Sequence, residues 1–235
     1  RVIVVLLTLL MLASCTGKNK DTEENSNYLQ LIRSYESREK NLNQHTDDPD
    51  FDAFLDMVFV EGMEADFMTM HFSVVDYEKY GIEKPPVDLG ELKYGFDEEN
   101  YQYMEDQLHE LQGFDYDKLS YRQQYDYEAL EYSLYETLAS LEFYRYQFLF
   151  DEGGNLAENI VSNFTDYTFY NQESIDDYLT CLKDLDRYLE DALAYTKQQY
   201  EDGLGLLRAA EPVTKLVALH LGNILFLRSE ERRVG

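Results

Sequence analysis

SYRQQYDYEALEYSLYETLASL, residues 120–141, decides how the rest of this chain reads. Ser120 and Gln123 stand in the spacing of a capping box, in which the serine hydroxyl and the residue three positions on satisfy each other's backbone N–H groups at a helix start. Behind them Tyr127, Leu130, Leu134, Leu138 and Leu141 recur every three or four residues, the period of one face of an α-helix. The spacing predicts one long amphipathic helix whose apolar face needs partners.

Such partners flank it. Asp97 caps a helix carrying Tyr101, Met104, Leu108 and Leu111, which Gly113 ends, and the short stretch from Phe114 to Leu119 connects it to the long helix. Upstream, Phe51, Phe54, Leu55, Val58, Phe59, Met63, Phe67 and Met70 recur at helical spacing after Pro49, predicting a single helix of about five turns. Pro85 and Pro86 interrupt helix after Tyr80-Gly81, and a loop runs on to Gly95. Gly153 and Gly154 mark a turn, and Ser174 with Asp177 caps a further long helix with Ile175, Tyr178, Leu182, Leu185, Tyr188, Leu189, Ala192 and Tyr195 in one stripe. Pro212 opens another, with Val213, Leu216, Val217 and Leu221 on one face. Strand signals are sparse. The expected fold class is mainly α, antiparallel helices packed on aromatic and leucine faces.

The N-terminus carries a different message. Val2 to Ala13 is apolar apart from Thr8, too short for a ~30 Å hydrocarbon core, and it runs into Leu12-Ala13-Ser14-Cys15. That order reads as a bacterial lipoprotein signal over residues 1–14, with cleavage before Cys15 and lipid attached to its thiol. An ordinary signal peptide with a chance cysteine, or a buried apolar helix, are the competing readings. Lipidation of Cys15 would place the protein at the membrane, on its extracytoplasmic face. Residues 15–48, rich in Asn, Asp, Glu and Lys with a weakly helical stretch near Tyr28 to Arg38, read as a polar tether, and 49–227 as one helical region. Arg228 to Gly235 resembles a translated sequencing adapter and is set aside. With no initiator methionine before Arg1 and the last helix broken near Leu227, the expectation is an N-terminal piece of a longer protein.

Composition narrows the partners. The formal charge is −27, which disfavours nucleic acid as a partner and adsorption to anionic lipid alike. A solvated acidic surface explains it most simply. Apart from Cys15 only Cys181 is present, so no internal disulfide is expected in the mature chain.

Motifs for chemistry are few. His109-Glu110 opens like a zinc-peptidase helix signature, but Gly113 stands where the second histidine belongs. Asp48, Asp50, Asp52 and Asp56 mimic the start of a calcium loop without its glycine or closing glutamate, and fit a helix N-terminus better. His45, His71 and His220 have no Cys or His neighbour in sequence. Tyr121, Tyr125, Tyr127, Tyr132, Tyr135, Tyr144 and Tyr146 crowd the long helix and its end. They are read mainly as core edges with wet hydroxyls, and secondarily as a surface for peptide or sugar. No catalytic, metal or cofactor-binding residue is assigned in this chain.

Several ordered motifs together resemble the bacterial family called domain of unknown function 885: Phe114-Asp-Tyr-Asp-Lys-Leu-Ser120 with Gln124-Tyr125-Asp126, Tyr80-Gly-Ile82, Tyr167-Thr-Phe-Tyr170, Ile175-Asp-Asp-Tyr-Leu179, and Gly203-Leu204. The likeness covers Asp50 to about Leu206. It implies a larger, helical, zincin-like protein of which this chain is the N-terminal half. The family's zinc-binding His-Glu and Pro-Gly-His cluster would lie downstream, so zinc is expected only in the full-length protein. The implied partners are the missing C-terminal half of the same chain and a peptide substrate.

Overall fold

The computed structural model describes residues 26–44, 46–150 and 156–204. The chain divides into two compact units, Arg1–Gly62 with Gly95–Gln147 and Met63–Tyr94 with Phe148–Gly235. The described residues of the region expected over 49–227 are shared between these two units. Seven α-helices are present among the described residues: α1 (Asn27–Arg33), α2 (Pro49–Glu64), α3 (Phe67–Ser73), α4 (Glu98–Gln112), α5 (Tyr121–Glu142), α6 (Leu156–Thr165) and α7 (Gln172–Glu201). The fold is mainly helical, with no β-strand among the described residues.

In the first unit α5 begins as its sequence dictates. The Ser120 side chain accepts the Gln123 N–H and the Gln123 side chain accepts the Ser120 N–H, closing the capping box. α4 starts on Asp97, whose carboxylate accepts the Asn100 N–H at 3.0 Å. Tyr101 donates to Glu142 and Gln112 to Tyr135, so α4 and α5 run antiparallel. Phe51, Leu111, Leu119 and Leu138 are fully buried in their shared core, with Phe54, Leu108, Tyr127, Leu134 and Tyr135 around them. Phe114 from the connection meets Phe51 edge-to-face at 5.2 Å, a geometry the ring quadrupoles favour.

The polar stretch read as a tether lies, over its described part, against α5. Tyr28 of α1 packs on Tyr101 and Tyr135, and Tyr35 meets Tyr132 edge-to-face at 5.2 Å. Tyr35 also reaches Glu131, Arg38 bonds Glu128 and Glu131, Asn41 bonds Gln124, and Asp48 bonds Gln123. Residues 35–48 therefore descend antiparallel along α5. Most of their side chains stay exposed, while the backbone N–H groups of Arg38, Asn41 and Asp48 bond side chains of the helix.

The helix expected from Phe51 to Met70 is two helices. Asp66 is the reason: its backbone is extended and its side chain accepts the Thr69 N–H at 2.7 Å, which starts α3 afresh. In the second unit Asn171, not Ser174, caps α7, and Ser174 is the third helical residue of the capping box. The helix thus gains its first turn from Gln172 onward. α6, absent from the sequence reading, buries Ile160 against Leu185 and Leu189 of α7. The turn expected at Gly153-Gly154 and the helix expected from Pro212 lie outside the described residues.

A second strap runs along α7. Lys84 donates to Glu173 and Asp177, the Leu89 N–H to Asp184, Arg187 to the Gly90 carbonyl, and Tyr94 to Asp202. Residues 84–94 therefore travel parallel to α7. The proline-broken loop owes its fixed course to side chains of that helix.

Candidate functional site

The residues singled out for chemistry are scattered. Cys15, His45 and His220 lie outside the described residues. His109 and Glu110 are exposed on the last turn of α4, and Gly113 is the C-cap, its N–H bonded to the Glu110 carbonyl at 3.0 Å. Asp48 caps α2, accepting the Asp50 and Phe51 N–H groups at 2.9 and 3.3 Å, while Asp52 accepts from Arg122 at 2.7 Å and from Gln123 at 2.9 Å. The aspartates hold a helix start and its neighbour. Tyr127 and Tyr135 are buried, Tyr132, Tyr144 and Tyr146 half-buried, and Tyr121 and Tyr125 exposed.

The densest polar site is on α5, and sequence reasoning missed it. Gln124, Glu128 and Glu131 are spaced four and three apart, so they share a face beside the apolar one; all are buried. Glu128 accepts from the Ser37 hydroxyl and Tyr116 hydroxyl at 2.7 Å each, from the Arg38 backbone N–H at 2.9 Å, and pairs with Lys40 at 2.5 Å. Burial pushes its carboxyl up, but bonds from Lys40, Tyr116, Ser37 and the Arg38 backbone outweigh it and bring it down to about 2. Glu131, 2% exposed, takes both guanidinium nitrogens of Arg38 at 2.8 and 3.0 Å. The guanidinium also sits 5.0 Å from the Tyr116 ring centre and 5.3 Å from that of Tyr127, within cation–π range. The signal was present: two cations, Arg38 and Lys40, in a very acidic chain, and a Gln-Glu-Glu stripe in helical register.

A shallow cleft of about 430 Å³ opens beside α4, lined in part by Tyr28, Glu105, Asp106 and His109. Tyr28 donates to Glu105 at 2.7 Å. The cleft is acidic and open, with an imidazole but no nucleophile on its rim. Among the described residues no three His, Cys, Asp or Glu side chains are gathered to hold a metal ion.

In the second unit His71 of α3 lies face to face with Tyr167, ring centres 3.7 Å apart and 11° from parallel, and it also stacks on Phe67 at 6.0 Å. It is 6% exposed. Burial holds the imidazole below its usual value, against the Asp177 charge and a hydrogen bond with the Thr168 backbone, which favour the proton. The ring is a neutral packing surface at neutral pH. Cys181 is fully buried, and burial among Asp177, Asp184, Asp88 and Asp66 pushes its thiol up to about 12. A thiol so disposed is no nucleophile.

The chemistry within reach is binding and fastening: carboxylates and amides that seize backbone N–H groups, cations over rings, and one exposed aromatic pair, Tyr121 and Tyr125, edge-to-face at 5.1 Å. No helix among the described residues is long and apolar enough to cross a membrane. Compared with known proteins, the chain matches no family model, no curated protein and no solved structure.

Proposed function

We propose that this chain is the non-catalytic, helical N-terminal portion of an exported protein, lipid-anchored through Cys15 at the extracytoplasmic face of a bacterial membrane, whose full-length form is a zinc-dependent peptidase. One observation carries the scaffold role. The residues behind the resemblance to domain of unknown function 885 are joints of the fold: Gln124 accepts the Asn41 N–H and donates to the Tyr116 carbonyl, Tyr167 stacks on His71, Asp177 grips Lys84, and Gly203 closes α7 at a φ of 79°. The first three fasten one segment to another, and Gly203 ends the helix. In the complete protein such a portion forms one wall of a substrate cleft, with zinc and its ligands supplied downstream.

The test is the metal content and peptide hydrolysis of the protein read to the natural end of its gene. Stoichiometric zinc with hydrolysis supports the peptidase. A frame that stops near Leu227 sinks it.

A second reading, a peptide- or sugar-binding surface lipoprotein, is favoured by Tyr121 and Tyr125, 37% and 51% exposed. Lys40 stands 4.8 Å from the Tyr125 ring centre. Aromatic faces beside a cation suit a flexible polar ligand. Absence of zinc, with melting raised by an oligosaccharide or peptide, selects this reading.

A further inference from the structure

In the second unit a buried stack keeps two polar atoms that no described residue satisfies. His71 and Tyr167, each 6% exposed, lie face to face with ring centres 3.7 Å apart. Among the described residues neither the His71 Nε2 nor the Tyr167 hydroxyl has a hydrogen-bond partner. A buried polar group left unpaired costs free energy, so two in one stack call for an occupant. His71 bonds the Thr168 backbone, and with Nε2 unpartnered that bond is made by Nδ1–H. Nε2 of the neutral ring therefore holds a lone pair, as does the Tyr167 oxygen, and both accept from an N–H donor. Around them stand rings that reach solvent. Phe72 at 45% exposure and Tyr170 at 44% each lie 5.5 Å from the imidazole centre, and Phe169 at 54% lies 5.5 Å from the Tyr167 ring centre.

We propose that this corner of the second unit binds an arginine side chain of a peptide, its guanidinium set among the rings of Phe72, Phe169 and Tyr170 and donating N–H groups to His71 Nε2 and the Tyr167 hydroxyl oxygen. Three observations select this occupant. The first is the pair of acceptors, which asks for a ligand with more than one donor, and a guanidinium presents several N–H groups in a planar fork. The second is the exposed rings, whose π faces attract a cation and suit a planar one. The third is charge. Residues 166–179 carry Asp166, Glu173, Asp176 and Asp177 and neither Lys nor Arg. Lys84 is shared between Glu173 and Asp177, and Gln172 donates to Asp176, so the corner stays negative after these partners are counted. A water molecule satisfies the same two atoms but uses neither the rings nor the charge. Both acceptors are covered, so entry needs a ring to turn aside. Phe72 and Tyr170 are the exposed rings against His71, and exposed side chains change rotamer within picoseconds to nanoseconds. The site is independent of whether the full-length protein cleaves peptides.

The test titrates acetyl-Gly-Arg-Gly amide against the full chain at neutral pH in about 0.15 M salt, where charges beyond ~8 Å are screened. The dissociation constant is read from the peptide's NMR signals, with the uncharged citrulline counterpart as control. Tyr167→Phe keeps the ring against His71 and removes only a hydroxyl without a described partner, so the fold is retained. Phe169→Ser removes an exposed ring, and neither variant alters the charge. The proposal expects the dissociation constant to rise about ten-fold in Tyr167→Phe, the loss of a hydrogen bond to a charged group. In Phe169→Ser it should rise about five-fold, the loss of a cation–π contact. The citrulline peptide should bind more weakly than the arginine peptide. An unchanged constant in either variant overturns the proposal, since diffuse attraction to an acidic surface gives that result. Equal binding of the two peptides also overturns it. So does no binding of the arginine peptide, which leaves an enclosed water as the partner of both atoms.

Discussion

Removing Arg38 tests whether the N-terminal strap is fastened or merely adjacent. In Arg38→Met the aliphatic stem remains, but Glu131, 2% exposed, loses both guanidinium bonds. Stranding one partner of a buried ion pair costs ~3–5 kcal/mol. The Arg38 side chain is 41% exposed and the Tyr35 hydroxyl still donates to Glu131 at 3.3 Å, so water and one neutral donor relieve part of this, and the expected loss is about 2–3 kcal/mol. Glu131→Gln should cost less, since the freed guanidinium turns to solvent. Arg38→Met with Glu131→Leu should be milder than Arg38→Met alone, because no charge is left buried. Urea unfolding followed by circular dichroism reads these changes as shifts in the transition of the unit that holds α5. A loss below about 0.5 kcal/mol for Arg38→Met, or strictly additive effects in the double variant, would refute the buried pair as the fastener.

Asp184→Ala should destabilise the second unit by about 1.5–3 kcal/mol, since Asp184 accepts from the Leu89 N–H and from Arg187 twice; an unchanged urea midpoint contradicts the second strap. Acid should act in two windows. Burial lowers His71 below 6.5 in the folded chain, so its unfolded form takes the proton first and stability falls as pH drops below 6.5. Glu128, lowered from 4.5 to about 2, contributes stability that is complete above pH 4.5 and is lost as pH falls from there toward 2. His71→Phe should flatten the first step and leave the second, read as melting temperature against pH; loss of both together disproves the assignment. Cys181, 0% exposed with its thiol up to about 12, should stay unreacted with a disulfide reagent in the folded Cys15→Ser chain and react once in denaturant; rapid native reaction shows the site to be open.

The elements legible in the sequence are those whose signals are local. The capping box at Ser120, the cap at Asp97 and the apolar face of α5 need only neighbours in the chain, and the structure contains all three. What escaped depends on distant partners. Asp66 divides α2 from α3 with a single hydrogen bond that a continuous apolar stripe conceals. Asn171 outbids Ser174 as the cap of α7 because the capping box places both on the same turn in reciprocal roles. Glu128 and Glu131 look like solvated surface until Arg38 and Lys40, some ninety residues earlier, are brought against them. No helical period contains that fact, although two cations within a polar stretch of a chain at net charge −27 were its trace.

Both units apply one solution to one physical problem. An irregular segment has backbone N–H groups that neither helix nor sheet satisfies, and buried ones must find acceptors. Along α5 the acceptors are Glu128 for Arg38, Gln124 for Asn41 and Gln123 for Asp48; along α7 it is Asp184 for Leu89. Each is a long or charged side chain on a helix, placed where a plain amphipathic design would put either a leucine or a wet residue. Part of the chain's acidity is therefore structural, because carboxylates are the strongest acceptors available for this work. Replacing Gln124 by an apolar residue of equal size would leave the Asn41 N–H of the strap without its acceptor, so the cost would fall on the fold.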